Sequence, residues 1–212
     1  MTLPVAPAGT EMKRLLSELW PLHRTLNCPD MDRALDMCGQ YLGDDARYRI
    51  HEYEPGQDIL TWYVPERYHV KEAWLEIAGE RVADFDKNPL HLLSYSNPVE
   101  VDGRLGDIRD HLWTSKKKPH TIPWEFKYYE RSWGFCLPQD VLDRFDDDAP
   151  VRGRIDVEFT QENFRLAEFF LPGETDEEVM FLTNICHPMQ VNDSVAGLVV
   201  GLEMARQLAQ RE

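Results

Sequence analysis

The chain is 212 residues long, 42% hydrophobic and 29% charged, with a formal net charge of −15 at pH 7. That length buries a sizeable core in one or two domains. The acidic balance excludes a nucleic-acid binder, whose phosphate contacts need a basic surface, and no run of about 18 apolar residues is present to span a membrane. Lys116-Lys117-Lys118 is the basic run that stands out, and it is expected to be a solvated loop. The opening MTLPVAPAGT lacks the charged start and apolar core of a signal peptide. Cys28, Cys38, Cys136 and Cys186 show no CxxC spacing. Reduced, buried thiols and a cytoplasmic location are therefore expected.

Residues 1–9 are a loose lead-in. Thr10 is placed to cap a helix over 11–22, with Met12, Leu15, Leu16, Leu19 and Trp20 on one face. A second helix is predicted over 30–42: Met31, Leu35, Cys38 and Leu42 are in phase, Asp30 and Asp32 lie in the first turn, and Gly43 closes it. The period then changes to two. Strands are predicted over 48–54 and 59–64 on either side of Pro55-Gly56, and 73–78 with 81–85 makes a hairpin around Gly79-Glu80. Residues 90–101 are extended and interrupted by Pro98. These β segments follow one another with little helix between them, as in a small antiparallel module. Its expected limits are 62–116, flanked by an α/β domain made of 1–61 and 117–212.

A short helix is expected over 105–112 from the phase of Leu105, Ile108 and Leu112. The stretch 115–138 is rich in aromatics: Trp124, Phe126, Tyr128, Tyr129, Trp133 and Phe135. They suit either packing at a domain junction or a substrate-facing wall. One or two helical turns follow over 139–145. Asp146-Asp147-Asp148 is an acidic turn without the spacing of an EF-hand calcium loop. Ile155, Val157 and Phe159 alternate with charged residues in a strand. Residues 164–171 are expected to return as its hairpin partner across Gln161-Glu162-Asn163.

The last segment carries the chemistry. Residues 179–186 form a short apolar run, expected as a buried strand of a parallel sheet. Residues 187–193 are a polar loop, and 194–210 have helical spacing, with Leu198, Leu202, Ala205 and Ala209 on one face. Ligands of open α/β sheets sit at the carboxyl ends of strands. His187 and Asp193 are therefore candidate metal ligands, and Asp193 is favoured as an anion at a helix N-terminus. The plainer alternative is that Asp193-Ser194 only caps the helix. No HExxH arrangement exists: His51-Glu52 is followed by Tyr53-Glu54-Pro55.

His-Pro followed by Asn-Asp-Ser-x-x-Gly at a helix start resembles the His and bridging Asp of the co-catalytic zinc aminopeptidases. A closer resemblance is to bacterial aminopeptidase-like proteins that carry a small β domain inserted in the peptidase fold. The matching stretches are YVPERYHVKEAWLEIAGERVADF (63–85), HLLSYSNPVEV (91–101), IPWEFKYYERSWGFCLP (122–138), LPGETDEE (171–178) and NICHPMQVNDSVAG (184–197). The resemblance implies an α/β fold: a zinc-aminopeptidase-like α/β/α sandwich with a mixed sheet, incomplete in this chain, plus the inserted antiparallel β domain.

It also implies a zinc-dependent hydrolase of a peptide or small amide bond. One or two zinc ions would be held by His187 through a neutral imidazole nitrogen and by Asp193, which binds the same ion or bridges two. The remaining ligands and a general-base glutamate are expected outside this chain, so it resembles the N-terminal half of a longer protein. The rest of the polypeptide, or a homo-oligomer partner, is then expected to cover it. One departure stands out. Met189 occupies the place where many zinc aminopeptidases carry an Asp that orients the imidazole. That departure and the missing ligands keep open a non-catalytic binding or scaffold protein on a peptidase fold. A thiol enzyme built on Cys186-His187 is a third reading, disfavoured because neighbouring strand residues point to opposite faces.

Overall fold

The computed structural model describes residues 8–43 and 45–211; the expected lead-in lies, up to residue 7, outside them. In chain order the elements are α1 (Ala8–Leu19), α2 (Pro29–Tyr41), β1 (Tyr48–Tyr53), β2 (Asp58–Ile59), β3 (Trp62–Tyr63), β4 (Arg67–Ile77), β5 (Glu80–Asp84) and β6 (Val99–Arg104). There follow α3 (Leu105–Ile108), β7 (Leu112–Trp113), β8 (Phe135–Cys136), α4 (Gln139–Leu142), β9 (Pro150–Thr160), β10 (Phe164–Phe169) and α5 (Ala196–Ala209). Helix and strand are both present, as the α/β expectation requires. Two compact units result: Met1–Val64 with Glu162–Glu212, and Pro65–Gln161. The second unit takes in residues 117–161 beyond the 62–116 expected from strand density.

The second unit is built on an antiparallel sheet of order β5-β4-β9-β6. The β4–β5 hairpin forms where expected. Ala78 and Gly79 both take positive φ, 49° and 81°, the conformation that lets a two-residue turn follow the twist of its strands. Along β9, Val151, Gly153, Ile155 and Val157 are buried in alternation with Arg152, Arg154 and Glu158. Tyr68, Leu75, Ile77, Leu92, Leu105, Phe135 and Leu137 complete this core, each large apolar side chain stabilising it by about 1.5–3 kcal/mol on burial.

The expected hairpin of 155–159 with 164–171 does not form. β9 lies between β4 and β6, and β10 pairs with β1, from Tyr48↔Phe169 to Tyr53↔Phe164. Each strand goes where its apolar face is covered: β9 against Leu75 and Ile77, β10 beside Tyr48 and Ile50, whose side chains pack with Phe169 on the other unit's core. Gln161-Glu162-Asn163 is thus the passage from one unit to the other, not a tight turn. Three smaller differences follow from local backbone. Thr10 lies inside α1 rather than at its cap. Residues 59–64 break into β2 and β3 at Leu60, whose φ is 53°. The helix expected over 105–112 divides into α3, a 3-10 turn at Arg109–His111 and β7.

The first unit packs α1, α2 and α5 with the β1–β10 ladder. Leu15 and Leu19 of α1, Met31, Leu35 and Cys38 of α2, and Val199 and Leu202 of α5 share one buried cluster. The strand expected over 179–186 is not formed. Val179, Met180, Phe181 and Leu182 are 83%, 80%, 69% and 89% exposed, and no strand among the described residues pairs with them. A strand is stabilised by its neighbours rather than by its own sequence. Of this run, Ile185 is buried in the core and Cys186 packs against it.

Candidate functional site

The loop between this extended run and α5 carries both candidate ligands. It is fixed at its far end by Val195 and Val199, buried where α5 begins. Ser194 ties that end back to the start, donating from Oγ to Asn184 Oδ1 at 2.9 Å and to the Asn184 carbonyl. Within the loop Asp193 leaves helical geometry (φ −117°, ψ 89°), and its peptide bond to Ser194 is cis. Met189 has φ 56°, in the left-handed region that disfavours a side chain without a short polar group.

His187 is half-buried and Asp193 exposed. His187 Nδ1 lies 3.1 Å from the Pro188 carbonyl oxygen. A carbonyl only accepts, so Nδ1 carries the proton and Nε2 the lone pair, which is the tautomer a metal ligand needs. Burial lowers the imidazole pKa and the Arg24 charge adds to this, while the Pro188 bond and the Asp193 charge oppose it. The ring is therefore neutral at pH 7. The structure brings His187 and Asp193 within electrostatic reach of each other. As a donor set, a neutral imidazole and an exposed carboxylate suit zinc. Among the described residues, however, no group of three or more His, Cys, Asp or Glu side chains is gathered to hold a metal. The two donors fit such a centre in kind.

Sequence reasoning missed Arg24. It sits in the connection from α1 to α2 and reaches the same loop, donating to the carbonyls of Leu19, Ile185 and Gln190. Burial lowers its pKa to about 10, so it remains a cation. Nothing in the periodicity of His23-Arg24-Thr25 signals this. Cys186 is no activated nucleophile: burial raises its thiol pKa, against what a reactive cysteine requires.

In the other unit, Tyr95 stacks on Tyr68 with ring centroids 4.8 Å apart and meets Tyr128 edge-on at 5.2 Å. Arg131 lies over Phe159 at 4.2 Å. Phe126 and Tyr129 are exposed, so the aromatic stretch divides between core and surface. Lys116, Lys117 and Lys118 are solvent-exposed. The acidic turn is ion-paired, Asp148 to Arg104 at 2.6 Å and Asp147 to Arg109.

A family model described as a domain of unknown function, DUF2172, matches residues 67–156, nearly the whole second unit. A Clostridium acetobutylicum protein, provisionally described as a polysaccharide biosynthesis protein with an aminopeptidase-like domain, is 31% identical over 203 residues, covering 95% of this chain and 45% of that protein. A crystal structure provisionally described as a peptidase of Clostridium acetobutylicum superposes with a TM-score of 0.86 at 30% identity, covering 95% of this chain and 47% of the other. BSAP, a zinc aminopeptidase from Bacillus subtilis, superposes with a TM-score of 0.57 at 11% identity, over 94% of this chain and 56% of the other; that likeness is one of fold.

The chain is similar along nearly its whole length to an aminopeptidase-like protein, and its fold is like that of a zinc aminopeptidase. It spans about half the length of the relatives it matches. Among the described residues no helix is long and apolar enough to cross a membrane.

Proposed function

We propose that this chain carries part of the metal site of a cytoplasmic, zinc-dependent aminopeptidase-type hydrolase acting on a peptide or small amide. The observation that carries the reading is the state of His187: a ring held towards the neutral form by burial, with Nδ1–H donated to Pro188 and Nε2 the acceptor nitrogen, on one short loop with the carboxylate of Asp193. His187 Nε2 and the Asp193 carboxylate would hold zinc, singly or as part of a pair of ions. When bound, zinc supplies Lewis-acid polarisation of the scissile carbonyl. Asp193 balances positive charge at the site, and the Ser194–Asn184 hydrogen bonds hold its backbone in place. The further ligands and the general base lie outside these 212 residues, in keeping with relatives about twice as long.

Metal analysis and an amide-hydrolysis assay test this. The complete wild-type protein, with the polypeptide that supplies the further ligands, should bind zinc. His187→Ala and Asp193→Asn should each lower zinc affinity by at least about tenfold, since even indirect supports of a ligand are worth 10–100-fold. Hydrolysis should fall with them while the fold is kept. Wild-type protein that takes up no zinc would sink the reading. A second reading, a binding or scaffold protein on a peptidase fold, is favoured by the absence of a third ligand among the described residues and by Met189 at the place of an orienting carboxylate. It would then take over.

A further inference from the structure

Arg24 is 1% exposed, and among the described residues its three side-chain hydrogen bonds go to backbone carbonyls. Nε donates to Leu19 O at 3.0 Å, Nη1 to Ile185 O at 2.5 Å and Nη2 to Gln190 O at 3.4 Å. The first acceptor ends α1, where carbonyls lack partners within the helix. The other two stand on either side of residues 186–189, the turn that contains His187. One rigid, planar group thus joins the end of a packed helix to both sides of the candidate ligand.

Capping α1 needs only the Nε bond. A buried cation is a costly way to do it, because the guanidinium gives up its hydration. What the cation adds is the fork. Its donors lie in fixed directions in one plane, so they set the separation and orientation of the carbonyls they meet. A lysine ammonium is a single centre and cannot reproduce that span. The carbonyls of Ile185 and Gln190 belong to a segment with no strand partner among the described residues, so the loop draws its order from such contacts and from the Ser194–Asn184 tie.

Resting on the reading of His187 as a zinc ligand, we infer that Arg24 is a positioning residue for it, clamping the carbonyls on both sides of the 186–189 turn so that the imidazole is presented in one orientation before metal arrives. The side-chain hydrogen bonds of Arg24 go to the backbone and not to the imidazole. Arg24 acts through the backbone, and pre-arrangement of this kind sets how tightly a site binds.

The test uses cobalt(II) alone as the probe, because its d–d absorption reports coordination geometry. Wild-type protein, Arg24→Lys and Arg24→Met are titrated with cobalt(II), and hydrogen exchange of residues 183–192 and of α1 and α2 is followed on the metal-free proteins. The expected result has three parts: both variants bind cobalt(II) at least about tenfold more weakly, Arg24→Lys shows an altered d–d band, and exchange speeds up in the loop while α1 and α2 stay protected. Arg24→Lys keeps charge and most of the length, so it decides the matter where Arg24→Met does not fold. Variants that stay folded and bind cobalt(II) as wild type does overturn this inference and leave the metal reading standing. Loss of helix protection in both variants makes Arg24 a general folding residue and also overturns it. Wild-type protein that binds no cobalt(II) overturns the metal reading, and the inference with it.

Discussion

Tyr41, at the end of α2, donates its phenolic hydrogen to Glu203 of α5 at 2.6 Å, and Glu203 is only 6% exposed. Arg206 and Gln207 also donate to this carboxylate, at 3.0 Å and 2.9 Å, and Arg206 extends the network to Glu11 of α1 at 2.6 Å. One buried carboxylate therefore joins all three helices of the first unit. Burial pushes the Glu203 pKa upward, but its hydrogen bonds and the Arg206 charge outweigh this and leave it lowered.

Removing one donor from a buried charge costs about 1.5–3 kcal/mol, so Tyr41→Phe should destabilise by that much in urea unfolding at pH 7. The pH dependence has a definite sign. A carboxylate with a depressed folded-state pKa contributes stability above its ordinary pKa and loses it as pH falls through the lowered value. On the alkaline side, burial and then the Glu203 bond raise the Tyr41 pKa from 10.0 to about 12. The contribution of Tyr41 is whole below pH 10 and is lost as pH rises through 12. Tyr41→Phe should lack that alkaline loss, and unfolding curves between neutral and high pH will show whether it does.

His23 is buried in the α1–α2 connection, and burial lowers its pKa from 6.5 to about 3. The folded state favours the neutral ring, so stability is present above 6.5 and declines as pH falls from there toward 3. The loss is on the order of 4 kcal/mol. His23→Gln, which cannot titrate, should flatten the acid limb of the stability curve. An unchanged limb would assign the acid loss to other groups.

Met189 sits in the left-handed region, where a side chain costs about 1–2 kcal/mol. Asparagine tolerates that conformation, and branching at Cβ makes it worse. Met189→Asn should hold or slightly raise the melting temperature. Met189→Val should lower it, with a cost of about 1–2 kcal/mol. Equal melting temperatures for the two variants would show that the loop relaxes to another backbone conformation.

Gly153 lies in β9 where a Cβ would come within 3.0 Å of the Trp74 carbonyl oxygen and of Leu75 Cδ1. The Leu75 side chain can shift, but the Trp74 carbonyl is part of β4. Gly153→Ala should therefore destabilise the second unit by about 1–3 kcal/mol, the cost of overpacking. Chemical denaturation of wild type and variant measures it.

Much of the fold is legible in the chain. The faces of α1 and α2, the β4–β5 hairpin (its turn one residue earlier than the expected Gly79-Glu80) and the alternation along β9 come from local periods of 3.6 and 2, which any stretch of sequence displays by itself. His187 and Asp193 are likewise singled out as candidates by residue type and by the change of period around them. Tertiary structure decided the rest. The partners of β9 are β4 and β6, far away in sequence, because an alternating strand states which face it buries and not against what. The run 179–186 has the composition of a core strand and is exposed, because a strand forms only with a neighbour to bond. Arg24 gave no signal, since a lone arginine between two helices looks solvated until the fold brings the carbonyls of Ile185 and Gln190 to it. The sequence by itself determined most of the elements and pointed to two candidate ligands. Only the tertiary structure decided strand partners and the support beneath the ligand loop, because those depend on groups that are distant along the chain and near only in space.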